Sequence, residues 1–196
     1  MRNPINVLIS LKSKASIDGY QFERLYRNLY NPQLYLLAYQ NIYAGEGNMT
    51  PGADHKTIDG MSMDRISKLI ESLKDHSYQP KPARRKYIEK ANGKLRPLGI
   101  PSIDDKLVQE IVRMILENIY EPTFSDLSHG FRPQKSCHTA LLQVKNCFTG
   151  TKWFIEGDIK GFFDNIDHSV LVGFLRKRIK DEYFIALIWK FLKAGY

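Results

Sequence analysis

The sequence predicts an α+β chain, helix-rich, with one β-hairpin and a short strand near its C-terminal quarter. Three observations carry that. Apolar residues recur at helical spacing over most of the 196 residues, an Asn-Gly pair sits between two alternating stretches near residue 92, and the stretch 152–159 reads as an apolar strand ending on a carboxylate. A hydrophobic share of 43% with 12% aromatics is enough for a sizeable core. No apolar run reaches the length of a membrane span, so a membrane role is not expected and a cytoplasmic protein is.

The elements follow in order. "MRNPINVLISLKSKAS" has a short apolar stretch without a small-residue cleavage site and is read as part of the fold. Phe22, Leu25, Tyr26 and Leu29, then Tyr35, Leu36, Tyr39 and Ile42, predict two helices that meet at Asn31-Pro32, where proline interrupts the hydrogen-bond ladder. "AGEGNMTPGAD" (44–54) is a glycine-rich loop, and 62–76 is an amphipathic helix with Ile66, Leu69, Ile70 and Leu73 on one side. Residues 84–101 form the hairpin, with Tyr87 and Ile88 before the Asn92-Gly93 turn and Leu95, Leu98 and Ile100 after it. Ser102, with Asp105 three residues on, caps a helix whose buried face is Leu107, Val108, Ile111, Val112, Ile115 and Ile119, so Asp104-Asp105 marks a helix start rather than a metal site. Further helices are expected over 136–148, 168–180 and 182–194, with Asp164 and Asp167 as turn formers or caps.

Net charge is +8, and its placement matters more than its size. Between Lys81 and Arg96 lie seven basic residues against Glu89 alone, a local excess of +6 that points to a polyanion, nucleic acid first. Cys137 and Cys147 have neither C-x-x-C nor zinc spacing, and are expected as free thiols among apolar neighbours.

Alternation along 152–159 places Phe154, Glu156 and Asp158 on one face of the strand. Carboxylates at a strand end suit a hard cation, and phosphoryl transfer with two metal ions needs more carboxylates than one strand supplies. Beyond Asp158, the turn at Lys160-Gly161 leads into Phe162 and Phe163.

The order of "YQNIYAGEGNMTPGAD", "GKLRPLGIP", "SHGFRPQKSCHTAL" and "EGDIKGFFDNIDH" closely resembles the reverse transcriptases and maturases encoded by group II introns, over about residues 35–175. The resemblance implies a right-hand polymerase fold comprising the fingers and the first part of the palm. Residues 1–80 would be an N-terminal helical extension and the start of the fingers, 81–150 the fingers, and 151–196 the N-terminal part of the palm with its short strands. It implies Asp158 as the first catalytic aspartate, with the Ile159 carbonyl also touching the metal (Mg²⁺, Mn²⁺ being the alternative), and Phe163 as the gate against a ribose 2′-OH, with Phe162 packing inward. Lys90, Lys94, Arg96 and Arg132 are assigned to the incoming dNTP. Arg84, Arg85, Lys86, Gly130, Phe131, Pro133, Thr50 and Gly52 are assigned to RNA or template contacts. His129, His138 and His168 are read as structural.

The implied partners are intron RNA, an RNA template with a DNA primer, and dNTP, with a homodimer through exposed apolar surface as a further expectation. The family completes its carboxylate set with a Tyr-x-Asp-Asp turn, and none follows Asp158 in these 196 residues. The expectation is therefore a polymerase fragment that is inactive alone. A non-enzymatic RNA-binding maturase is the main rival, and an unrelated Mg²⁺ nuclease the weaker one.

Overall fold

The structure is a computed structural model that describes residues 2–45, 47–89, 91 and 93–196. Lys90, expected at the nucleotide, and the Asn92 half of the hairpin turn lie outside the described residues. Among the described residues the elements are α1 (Pro4–Ala15), α2 (Pro32–Tyr43), α3 (Met63–Lys74), β1 (Arg84–Glu89), β2 (Leu95–Ile100), α4 (Ile103–Tyr120), α5 (Cys137–Cys147), α6 (His168–Arg176) and α7 (Glu182–Lys193).

α4 is the central post, and α1 and α2 pack along it. Leu107, Ile111, Ile115 and Ile119 recur at one-turn intervals and are wholly buried, so a single stripe of the 18-residue helix supplies the middle of the core. Phe22, Leu25, Tyr35 and Leu73 close over it from the N-terminal half, and Val172, Ile179, Phe184 and Ile185 from the C-terminal end. One core thus runs through residues 11 to 188, across the predicted divisions at 80 and 150.

Side chains start the helices where the sequence places them. Asn31 accepts from the Gln33 N–H, Ser62 from Arg65, Ser102 from Asp105, Asp167 from Ser169 and Val170, and Asp181 from Phe184. α1 begins on an Asn3 cap with Pro4 in its first turn, a helix start that the signal-like composition of this stretch obscures.

Three expectations differ from the structure. The helix expected over 18–31 is only a 3-10 turn at Tyr26–Tyr30. Before it, Phe22 forms an isolated parallel bridge to Ile179: its N–H donates to Arg178 O at 2.7 Å and its carbonyl accepts from Lys180 N–H at 2.8 Å. Tertiary pairing outweighs helical spacing there. The segment expected as a strand over 152–159 has no regular secondary structure and lies in no ladder, and β1–β2 is the one sheet among the described residues. An extended segment becomes a strand only when a neighbour takes its N–H and C=O groups, and no described segment does so. Finally, Cys137 and Cys147 are free but exposed, rather than lying among apolar neighbours.

Candidate functional site

The basic hairpin projects from the body, with every described strand residue except Arg84 and Ile100 exposed. Its register pairs Arg84 with Ile100, Lys86 with Leu98 and Ile88 with Arg96. Directly opposed side chains share a face, so Arg84, Lys86 and Arg96 lie together while Arg85 lies on the other side. There the Arg85 guanidinium sits 3.2 Å from the centroid of the Tyr196 ring. Lys86 and Arg96 are exposed, and so is Lys94, which follows the turn. Arg84 differs: one of its terminal N–H groups donates to the Pro51 carbonyl at 2.6 Å, tying β1 to the 44–54 loop.

Isolated two-stranded hairpins are marginal in water, and this one is clamped at its base. The buried Asp105 carboxylate accepts from the Tyr78 hydroxyl (2.5 Å), the Lys81 N–H (3.1 Å) and the Ser102 hydroxyl (2.6 Å). Lys81 precedes β1 and Ser102 follows β2, so one side chain holds both ends of the hairpin. Asp105 thus does more than begin a helix, a role the capping signal alone does not reveal. Burial and the Asp105 charge push the Tyr78 hydroxyl well above the usual tyrosine range.

Gly52 corrects an expectation. It is buried, and a Cβ there would lie 2.3 Å from the Pro101 oxygen and 2.6 Å from the Ser102 Cα. The glycine allows the loop to lie against the end of β2, and that close approach is what the structure shows at this position. Thr50 is half-buried beside it, its carbonyl accepting from Lys106 Nζ at 3.5 Å; burial lowers the pKa of that lysine.

The 129–133 loop is held from two sides. His129 binds the Thr139 hydroxyl through Nδ1 at 2.8 Å and Gln143 through Nε2, fixing the loop to α5. Arg132 grips Glu121 with Nε (3.0 Å) and Nη2 (2.8 Å), and the Ser125 and Ser128 carbonyls with Nη1 (2.6 and 2.9 Å). Its side chain is 7% exposed, so in this structure the guanidinium expected on a nucleotide is spent on shaping the loop. The residue presented outward is Phe131, fully exposed and left-handed at φ 55°. Gly130 is exposed with open space around it. Pro133 and Phe131 border an apolar cleft of about 710 Å³ whose walls include Leu116, Phe124, Phe174 and Leu192.

Asp158 lies on the unpaired 151–159 segment, exposed together with Glu156 and Ile159. The turn after it is ordered: Gly161 is left-handed (φ 61°), and its carbonyl accepts from the Asn165 N–H (3.1 Å) and side-chain amide (2.8 Å). Phe163 is 76% exposed and Phe162 50%, so Phe162 does not pack inward as expected. Their rings meet edge to face at 5.5 Å. No group of three or more metal-ligating side chains occurs among the described residues. One exposed aspartate does not by itself make a divalent-metal site.

Comparison with known proteins decides what this arrangement belongs to. Residues 88–195 match the family described as reverse transcriptase (RNA-dependent DNA polymerase). The chain belongs to the reverse transcriptase family. Within it, similarity runs to group II intron proteins: 57% identity over 96% of the chain to group II intron-encoded protein LtrA of Lactococcus lactis subsp. cremoris, covering 31% of that protein. An uncharacterized 91 kDa protein in the cob intron of Schizosaccharomyces pombe is 47% identical over the whole chain, which covers 24% of it. Nuclear intron maturase 1, mitochondrial, of Arabidopsis thaliana is 30% identical over 98% of the chain, which covers 30% of it. The chain therefore spans about a third or less of these relatives. The match to the reverse transcriptase family takes in the hairpin from Ile88 on, the 129–133 loop, Asp158 and Phe163. Among the described residues, no helix is long and apolar enough to cross a membrane.

Proposed function

We propose that this chain is the template- and nucleotide-facing portion of a group II intron reverse transcriptase, which in its full-length protein extends a DNA primer on RNA. The observation that carries the reading is the Asp158–Phe163 turn within the family match, with the acid and the ring both exposed on either side of a left-handed Gly161. In that protein Asp158 would supply one ligand to a divalent ion, Mg²⁺ or Mn²⁺, with the remaining carboxylates lying outside these 196 residues. Ile159 offers its carbonyl beside it, and Phe163 screens the sugar.

The exposed cations Lys86 and Arg96, with Lys90 and Lys94 near the turn, contact phosphates of dNTP or RNA. Arg84 and Arg132 act as positioning residues, through Pro51 and through Glu121. Gly130, Phe131, Pro133 and Thr50 border the template. Arg85 meets the RNA backbone from the opposite hairpin face.

Primer extension by the protein encoded by the full reading frame tests this. Asp158→Ala is expected to remove extension and leave RNA affinity largely unchanged; extension that survives it would sink the proposal. The similarity to an intron maturase of Arabidopsis favours a second reading, RNA binding in support of splicing without polymerisation. That reading predicts splicing support that is indifferent to Asp158→Ala.

A further inference from the structure

The end of α3, the Tyr26–Tyr30 turn and the start of α7 bring aromatic rings together beside unpaired cations. His76 and Tyr183 are stacked, with ring centroids 4.4 Å apart and planes 10° from parallel. Tyr26 lies tilted against both rings, at 5.4 and 6.0 Å, and forms the buried floor. Tyr183 is 62% exposed, so the stack is open to solvent. His76 follows the end of α3 in the left-handed conformation (φ 63°), which turns its ring towards Tyr183. Arg24, also left-handed (φ 56°), lies in the same cleft of about 590 Å³. Left-handed backbone at a non-glycine residue is costly and gathers at functional sites.

The charge around the stack is not internally neutralised. Arg24, Arg27 and Lys180 line this cleft, and their side chains have no ion pair or hydrogen bond among the described residues. Of the acids there, the Asp181 carboxylate is taken by the Tyr26 N–H (2.8 Å) and the Phe184 N–H (3.1 Å), and Glu182 is paired with Arg176 (2.6 Å). Glu23 alone remains. Arg24 and Arg27 also line an adjoining cleft of about 780 Å³, whose other cations are Arg2, Lys14 and Lys74.

A flat open stack beside a row of free cations matches the chemistry of a single nucleic-acid strand: a base extends the stack and the phosphates follow the cations. We propose that the His76–Tyr183 stack is a base-stacking site for single-stranded RNA, with the flanking phosphates held by Arg24 and Arg27. No hairpin residue lines either cleft, so this is a second RNA contact beyond the function proposed above; the choice of RNA over DNA rests on that reading.

The test is binding of a fluorescein-labelled single-stranded oligoadenylate to the 196-residue chain, with the matching RNA duplex and polyglutamate as competitors. Tyr183→Ala and His76→Asn, the latter keeping a residue that tolerates left-handed backbone, are each expected to weaken single-strand binding by about 5- to 100-fold. Arg24→Gln with Arg27→Gln should flatten the slope of log K against log salt by about 1.4, two phosphates' worth. Tyr183→Trp should retain affinity, and its added fluorescence should be quenched by the base. Lys86→Gln with Arg96→Gln reports on the hairpin separately, so failure there leaves the stack's result readable. Unchanged affinity in Tyr183→Ala and His76→Asn would overturn the proposal, as would polyglutamate competing as well as unlabelled oligoadenylate, the mark of a site for acidic protein.

Discussion

α4 and α5 start alike and end up in opposite surroundings. Each begins at a serine whose hydroxyl accepts a backbone N–H from three residues on, and α5 adds the reciprocal Thr139 bond of a full capping box. Yet α4 buries nine of its eighteen residues, while α5 buries none of eleven. Helix formation is thus a local decision made by caps and spacing, and burial is a global one made by partners. The residues that the family resemblance singles out follow the second pattern. The 129–133 loop, Asp158 and Phe163 lie in or next to the region with few partners, held up by side-chain bonds such as His129–Thr139 and Arg132–Glu121 rather than by a core.

The contrast is broken most directly by truncating each helix. Ile111→Ala in α4, a wholly buried position, is expected to cost about 2–5 kcal/mol in urea unfolding. Leu141→Ala in α5, 65% exposed, should change stability by no more than about 0.5 kcal/mol. Comparable losses at the two sites would mean that α5 has a buried face after all.

High pH sharpens the comparison next, because the buried tyrosines belong to the core side. Burial raises Tyr26 from 10.0 to about 12 and pushes Tyr35 and Tyr78 higher still. A folded pKa above the unfolded one leaves the native state holding protons that the unfolded chain has released, so this stability is complete below pH 10 and falls as pH rises beyond it. Between pH 9 and 11 the urea midpoint should therefore fall. A midpoint that does not move would show that these hydroxyls titrate normally.

Self-association is a smaller effect and probes the partner-poor region. Trp153, Phe154, Ile155 and Phe163 are each at least 76% exposed on one short segment. A dimer through this surface is expected by sedimentation at micromolar concentrations and should weaken in Trp153→Ser with Ile155→Ser. A monomer throughout that range would refute it. The cap is a local effect: Ser136→Ala should cost about 1 kcal/mol, seen as faster amide exchange confined to the first turns of α5.

What the sequence reveals follows the same division. α3, α4, α6 and α7 are legible because their caps and apolar stripes agree, and the hairpin because its turn and alternation agree. The stretch 18–31 misleads because Phe22 spends its backbone on Arg178 and Lys180, residues about 155 positions away. The stretch 152–159 misleads because alternation says how a strand would face, and not whether a neighbour exists to hydrogen-bond it. At the candidate site, Asp158, Phe163, Lys86 and Arg96 can be found as exposed side chains in a motif. Residue type alone does not distinguish a guanidinium that reaches solvent from one committed to Glu121, or a glycine that admits RNA from one that admits Pro101. The His76–Tyr183 stack is invisible in the sequence, since its rings come from elements more than a hundred residues apart.

The Asp105 clamp carries one last consequence. Because that carboxylate grips the chain before β1 and after β2, and Arg84 and Gly52 fasten the 44–54 loop to the same base, the base of the hairpin is fixed to the body on both strands. A pull on its tip is delivered to the first turn of α4, the rod on which the whole core is threaded. Load on the hairpin and load on the core thus share one pin, the Asp105 carboxylate.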